Sequence, residues 1–151
     1  MLDVIYPAAS AAALLKINGV NLLLPQGEIR SLESVTDVDV IAPALHSTGW
    51  ITYLHKRWPV YCLSEKLTLL ANMENETRAC ALIAMGAGYI GIMCNDMIVL
   101  KNFTAQRYDL PVAMRLPDSP VLYLVQYEQE IACVSNAARL TAYIEQQVLK
   151  A

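Results

Sequence analysis

Asn18-Gly19 stands between two short apolar runs, "ALLKI" and "VNLLL", and this limits the fold more than any other feature of the chain. Asn and Gly most readily take the two left-handed conformations of a tight two-residue turn, so the flanking runs are joined as antiparallel strands. Three further pairs of runs follow the same plan. "GWITYL" and "RWPVYCL" flank His55-Lys56, "ACALIAM" and "YIGIM" flank Gly86-Ala87-Gly88, and "VLYLVQY" and "EIACV" flank Glu128-Gln129. Gly86 and Gly88 are expected to supply the positive φ of the third turn. Helical periodicity is confined to two stretches. Residues 64–73 begin with Ser64 as a cap and carry Leu67 and Leu70 on one face; residues 136–150 begin with Asn136 and carry Leu140, Tyr143, Ile144 and Val148 as a stripe.

The order hairpin, hairpin, helix occurs twice. At a shift of 68, Leu14, Ile17, Leu24, Ile29 and Leu32 fall on Leu82, Met85, Ile92, Met97 and Leu100. At a shift of 73, Trp50, Ile51, Trp58, Val60, Leu67 and Leu70 fall on Tyr123, Leu124, Ile131, Cys133, Leu140 and Tyr143. Apolar pattern repeats here, not identity. The reading is mainly β with a C-terminal helix, as two small barrels packed together, since closure disposes of the edges that many short strands would expose.

Composition excludes several functions. A chain of 151 residues with 56% hydrophobic and 17% charged residues is one domain with a sizeable core. Its net charge of −3 and scattered basic residues offer no phosphate-binding face. Cys62, Cys80, Cys94 and Cys133 lack metal-ligand spacing, and His46 and His55 have no second ligand nearby. The thiols read as reduced and buried, as in a cytosolic protein. The start, "MLDVIYPAASAAALLK", is a poor secretory leader. The uncharged run 79–95 approaches a membrane span in length, but its glycines divide it into two strands.

Gly86 to Gly91 spells G-x-G-x-x-G behind an apolar strand. A dinucleotide site requires a helix next, so that its N-terminus faces the pyrophosphate. "YIGIMCNDMIVLKNF" is β-branched around Asn95-Asp96 and is no helix. Asp109 stands where a ribose ligand would, but "NFTAQRYD" before it is too polar for a buried parallel strand. No cofactor is expected. No Ser, Cys or His has a nucleophile motif around it, and the carboxylates Glu28, Glu33, Asp37 and Asp39 are spread along strands and a turn, so the chain reads as non-enzymatic.

In order, these features resemble the CheW-like domain, the adaptor fold of bacterial chemosensory systems. "INGVNLLLPQGEIRSLES" resembles the family's opening, with Leu24-Pro25 as the apolar-Pro step and Ile29 and Leu32 on the following strand. "GWITYLHKRWPVYCL" is similar, without a gap, to the family's G-V-I-N-L-R-G-x-x-x-P-V-x-D-L at Gly49, Ile51, Pro59, Val60 and Leu63. "GIMCNDM" echoes G-x-x-V-D-x-V, with Gly91 matched and Asn95 in place of Asp. The resemblance spans about residues 12–148. It implies two intertwined five-stranded SH3-like barrels, approximately 12–75 and 76–150, after an N-terminal extension, 1–11. Pro25, Gly49, Pro59, Leu63 and Gly91 take structural roles.

The resemblance further implies a bacterial, cytoplasmic, non-catalytic scaffold. It would couple a chemoreceptor-like cytoplasmic tip to a histidine-kinase regulatory domain in chemotaxis or twitching motility, with no nucleic acid and no membrane insertion. The family's Asn, Arg and Asp are here Thr52, Leu54 and Cys62, and its second Gly is His55. The Arg-based adaptor contact therefore does not carry over. Tyr53, Leu54, Arg57 and Trp58, around the second hairpin, are the candidate partner surface, made more apolar by Leu54 and Cys62. The alternatives are a structural or assembly protein reusing the fold and, last, a small dinucleotide-binding enzyme using Gly86 to Gly91.

Overall fold

The computed structural model describes residues 11–44, 46–73, 76–85, 88–101, 105–115 and 119–149. Strands β1 (Ala12–Ile17) and β2 (Val20–Pro25) form the first hairpin. Its turn residues, Asn18 at φ 47° and Gly19 at φ 91°, are both left-handed, as the sequence requires. After a 3-10 turn at Gln26–Glu28 come β3 (Ile29–Ser34), β4 (Gly49–Tyr53), β5 (Lys56–Leu63) and a two-residue β6 (Leu69–Leu70). The second half supplies β7 (Ala79–Met85), β8 (Gly88–Cys94), β9 (Asp96–Leu100), a two-residue β10 (Arg107–Tyr108), β11 (Tyr123–Tyr127), β12 (Glu130–Val134) and α1 (Ala137–Leu149).

The strands make two curled sheets, and each takes strands from both halves of the chain. One runs β10-β11-β12-β2-β1-β9; the other runs β3-β7-β8-β5-β4, with β6 added on β5. Each is therefore five strands plus one two-residue strand. The sheets are the same object built twice. β9, β1, β2, β12 and β11 of the first correspond to β3, β7, β8, β5 and β4 of the second, and the single parallel junction, β12 on β2, recurs as β5 on β8.

The register fixes the repeat. Leu14 pairs with Leu23 as Leu82 pairs with Gly91, a shift of 68. Tyr53 pairs with Lys56 as Tyr127 pairs with Glu130, a shift of 74 and not 73. The apolar pattern misled by one residue because Ile131 is half exposed. It occupies the surface position of Arg57, and Ala132 occupies the core position of Trp58.

Burial explains the unbroken apolar runs. Ala12, Ala13, Leu14 and Leu15 all have no exposed surface. Along β1, Ala12 and Leu14 face a small core of their own sheet with Leu23, Val125, Ala132 and Val134. Ala13, Leu15 and Ile17 face the opposite way, into a shared core with Leu22, Leu63, Ile83, Ile92 and Leu140. The second sheet has its own core too: Ile51, Trp58, Val60, Cys80, Leu82 and Met93. A strand covered on both faces needs no polar alternation.

α1 plugs the shared core through Ala137, Leu140, Tyr143 and Ile144. Its N-terminus is capped as expected, since the Arg139 amide donates to Asn136 Oδ1 at 2.7 Å. A carboxylate distant in sequence adds to this: the Ala137 amide donates to Glu28 Oε1, also at 2.7 Å. The expected helix at 64–73 does not form. Ser64 Oγ accepts from the amides of Lys66 and Thr68, closing a tight turn, and Leu67 sits at φ 62°. The chain then pairs Leu69 and Leu70 with β5.

The uncharged run 79–95 forms the antiparallel pair β7–β8. No described helix is long and apolar enough to cross a membrane.

Candidate partner-binding surface

The β4–β5 hairpin turns one residue earlier than expected, at Leu54-His55. Both are left-handed, at φ 51° and 63°. This geometry favours Asn-Gly, and for a side chain branched like leucine it costs about 1–2 kcal/mol per residue. Leu54 is also 77% exposed, so the strain holds an apolar side chain out in water. Strain of this kind is retained where something else uses the conformation.

The four candidate residues separate. Trp58 is buried, 5% exposed, and belongs to the core. Its ring meets Tyr53 and Tyr89 edge-on at centroid distances of 6.0 and 5.2 Å, and its Nε1 donates to the Tyr53 carbonyl at 3.4 Å. The alternation of β5 turns it inward between exposed Arg57 and half-buried Pro59. Trp58 is therefore no contact residue. Arg57 is exposed, with its guanidinium 4.3 Å over the Trp50 ring. Tyr53 is half-buried and donates from Oη to the Arg30 carbonyl at 3.3 Å. Leu54 and Arg57 are the accessible members.

The structure adds residues to this surface. Lys56 lies 4.3 Å over Tyr89, and Trp50 Nε1 donates to the Ala42 carbonyl at 3.0 Å. Trp50 and Lys56 lie within the quoted segment, but these partners come from the loop before β4 and from β8. Thr52 is exposed beside them. Cys62 is buried and accepts from Thr48 Oγ1 at 3.2 Å, so it does not make the rim more apolar.

The five structural positions behave differently from one another. A Cβ on Gly49 would stand 2.5 Å from the Asp39 carbonyl oxygen, and Asp39 and Trp50 exchange two backbone hydrogen bonds of 2.8 Å there. Gly91 is packed as closely, with Cys80 Sγ 2.7 Å from its missing Cβ. Leu63 has no exposed surface. Pro25 ends β2 before the 3-10 turn, and Pro59 is half-buried opposite Trp50.

The glycine motif belongs to none of this surface. Gly86 lies outside the described residues. Gly88 is not left-handed; it opens β8 with Thr141 Cγ2 3.0 Å from its missing Cβ, which brings the strand up against α1. β8 returns antiparallel to β7, so these glycines open a strand and not a helix.

A second concave surface lies where α1 crosses β5 and β8, a groove of about 500 Å³ lined by Pro59, Tyr61, Gly88, Ile144, Glu145 and Val148. Burial, then the Glu145 charge, pushes the Tyr61 phenol above its ordinary value. The cysteines are free thiols. Burial raises Cys80, Cys94 and Cys133 alike, Cys94 to about 12 with help from Asp96. No group of three or more metal-ligating side chains occurs among the described residues.

Two strand-sharing sheets, repeated about a parallel junction and plugged by one C-terminal helix, are the CheW-like fold. The chain is similar to the scaffolding protein TtCheW from Thermoanaerobacter tengcongensis, with a TM-score of 0.54 over 83% of this chain and 88% of that one, at 10% identity. No family model matches the sequence. No curated protein matches it either.

Proposed function

We propose that the chain is a non-catalytic adaptor that works through protein contacts. It couples a chemoreceptor-like protein to the regulatory domain of a histidine kinase, on the cytoplasmic side, in a chemotaxis- or twitching-motility-like system. The observation that carries this reading is the β4–β5 tip, where Leu54 stands exposed on a left-handed turn beside Arg57. The likeness in fold to a scaffolding protein supports it.

Tyr53 braces the tip through its bond to the Arg30 carbonyl, and Trp58 supports it from beneath. The test is capture of a kinase regulatory domain or a receptor tip by the purified chain, with Leu54→Asp as the variant. Binding by the wild type and its loss in the variant supports the reading. Equal capture by both refutes the assigned surface.

A second reading, an assembly protein that reuses the fold, is favoured by Thr52 and Leu54 standing where the family has Asn and Arg. It predicts that no kinase or receptor fragment is captured.

A further inference from the structure

The groove where α1 crosses β5 and β8 has walls that belong to the core and two polar groups that the fold does not use. It follows α1 from Thr141 to Leu149, about 12 Å at 1.5 Å per residue. Its floor is apolar: Ile90 and Ile144 are buried, and Pro59 and Val148 are half-buried beside them. Thr141 packs on Gly88 with Cγ2 3.0 Å from the missing Cβ, and exposed Leu149 marks the opposite end.

The first polar group is the Tyr61 hydroxyl. Tyr61 is 8% exposed and lines the groove. A tyrosine buried this deeply usually finds a hydrogen-bond partner. Tyr143, buried to the same extent, donates to the Leu67 carbonyl at 2.8 Å. Tyr61 has no such partner among the described residues. The second group is the Glu145 carboxylate, which has no counter-ion among the described residues. Its neighbours one turn away along α1 are Thr141, Ala142, Val148 and Leu149, none of them cationic. Lys56 is spent on the Tyr89 ring, 4.3 Å from its centroid. Glu145 stands close enough for its charge to act on the Tyr61 phenol, so both groups are within reach of one ligand.

We propose that this groove binds a small organic amine with an aromatic or branched apolar body. The body lies against Ile90, Ile144 and Val148, while the ammonium pairs with Glu145 and donates a second hydrogen bond to Tyr61 Oη. Charge selects the class: an organic anion meets an unpaired carboxylate, and a neutral molecule leaves that carboxylate without a partner. A volume of about 500 Å³, apolar with few polar groups, suits one small molecule. Neither Leu54 nor Arg57 lines the groove, so this proposal does not rest on the adaptor reading.

Methyl NMR of the purified full chain tests it, by titration with 2-phenylethylamine, 2-phenylethanol and 3-phenylpropionate. The expected result is saturable shifts at Ile90, Ile144 and Val148 with the amine, weaker ones with the alcohol and weakest with the carboxylate. Glu145→Gln should lower affinity for the amine about threefold or more and leave that for the alcohol unchanged. Tyr61→Phe should also weaken amine binding while keeping Tm, because the hydroxyl has no internal bond to lose; circular dichroism checks that both variants are folded. Absence of saturable shifts with the amine would overturn the proposal. Equal affinity for amine and carboxylate, or undiminished amine affinity in folded Glu145→Gln, would overturn it as well. So would shifts at these methyls with a basic apolar peptide alone, which would assign the groove to a protein segment.

Discussion

Gly91 leaves its Cβ position 2.7 Å from Cys80 Sγ, closer than a real Cβ can come. In the repeat Gly91 takes the place of Leu23 and Trp58 that of Ala132. The space beside Gly91 is filled by Cys80 Sγ, Val60 Cγ2 and Leu82 Cδ2.

Gly91→Ala forces that methyl against Cys80, Val60 and Leu82, all buried. The expected loss is about 1–3 kcal/mol, seen as a lower midpoint in urea. Adding Cys80→Ala removes the closest clash and recovers part of the loss, so the double-mutant cycle gives a non-zero coupling.

Glu28→Ala removes the carboxylate that accepts from the Ala137 amide at the start of α1. A lost charge-assisted cap is worth about 1 kcal/mol, or about 3 °C in Tm for a chain of this size. Hydrogen exchange should quicken first at the amides of the first helical turn. Uniform exchange along α1 would mean that Asn136 suffices as cap.

Leu54→Asn relieves the left-handed strain at φ 51° without lengthening the unfolded chain's menu as glycine would. Thermal unfolding should show a gain of about 0.5–1 kcal/mol. The same variant should bind a partner less well, because the exposed apolar side chain is gone. Unchanged stability would mean that the turn is not strained.

Cys94 has its thiol pushed up to about 12 by burial and by Asp96, against about 8.5 in an unfolded chain. The folded state therefore holds a proton that the unfolded state releases first. Its contribution is complete below about pH 8.5 and is lost as pH rises toward 12, so stability falls with alkalinity. Cys80 and Cys133 act in the same direction. Cys94→Ala should flatten part of the decline in Tm between about pH 9 and 11; an unchanged slope would assign it to other groups.

What was legible in the sequence was local. Asn18-Gly19 announced its turn because both residues suit positive φ, and Asn136 announced α1 because one side chain makes the first capping bond. Ser64 makes a similar first bond, but what followed was decided by β5, which offered Leu69 and Leu70 a partner. The exchange of strands between halves was legible only as a repeat of apolar spacing, since pairs such as Val60–Gly91 join residues far apart in the chain. At the site, the sequence placed Tyr53, Leu54, Arg57 and Trp58 together around one hairpin tip. Trp58 was not separable from the other three, because a hairpin seen as sequence does not say which face is inward.

On the reading proposed above, the β4–β5 tip is a protein-docking surface. Isothermal titration tests this most directly, using the full chain against the regulatory domain of a chemosensory histidine kinase. Saturable binding by the wild type is predicted. Folded Leu54→Asp should lose about tenfold or more in affinity, roughly 1.4 kcal/mol, and Arg57→Glu should add a stronger dependence on salt. Absence of binding by the wild type, or full affinity in folded Leu54→Asp, would contradict it.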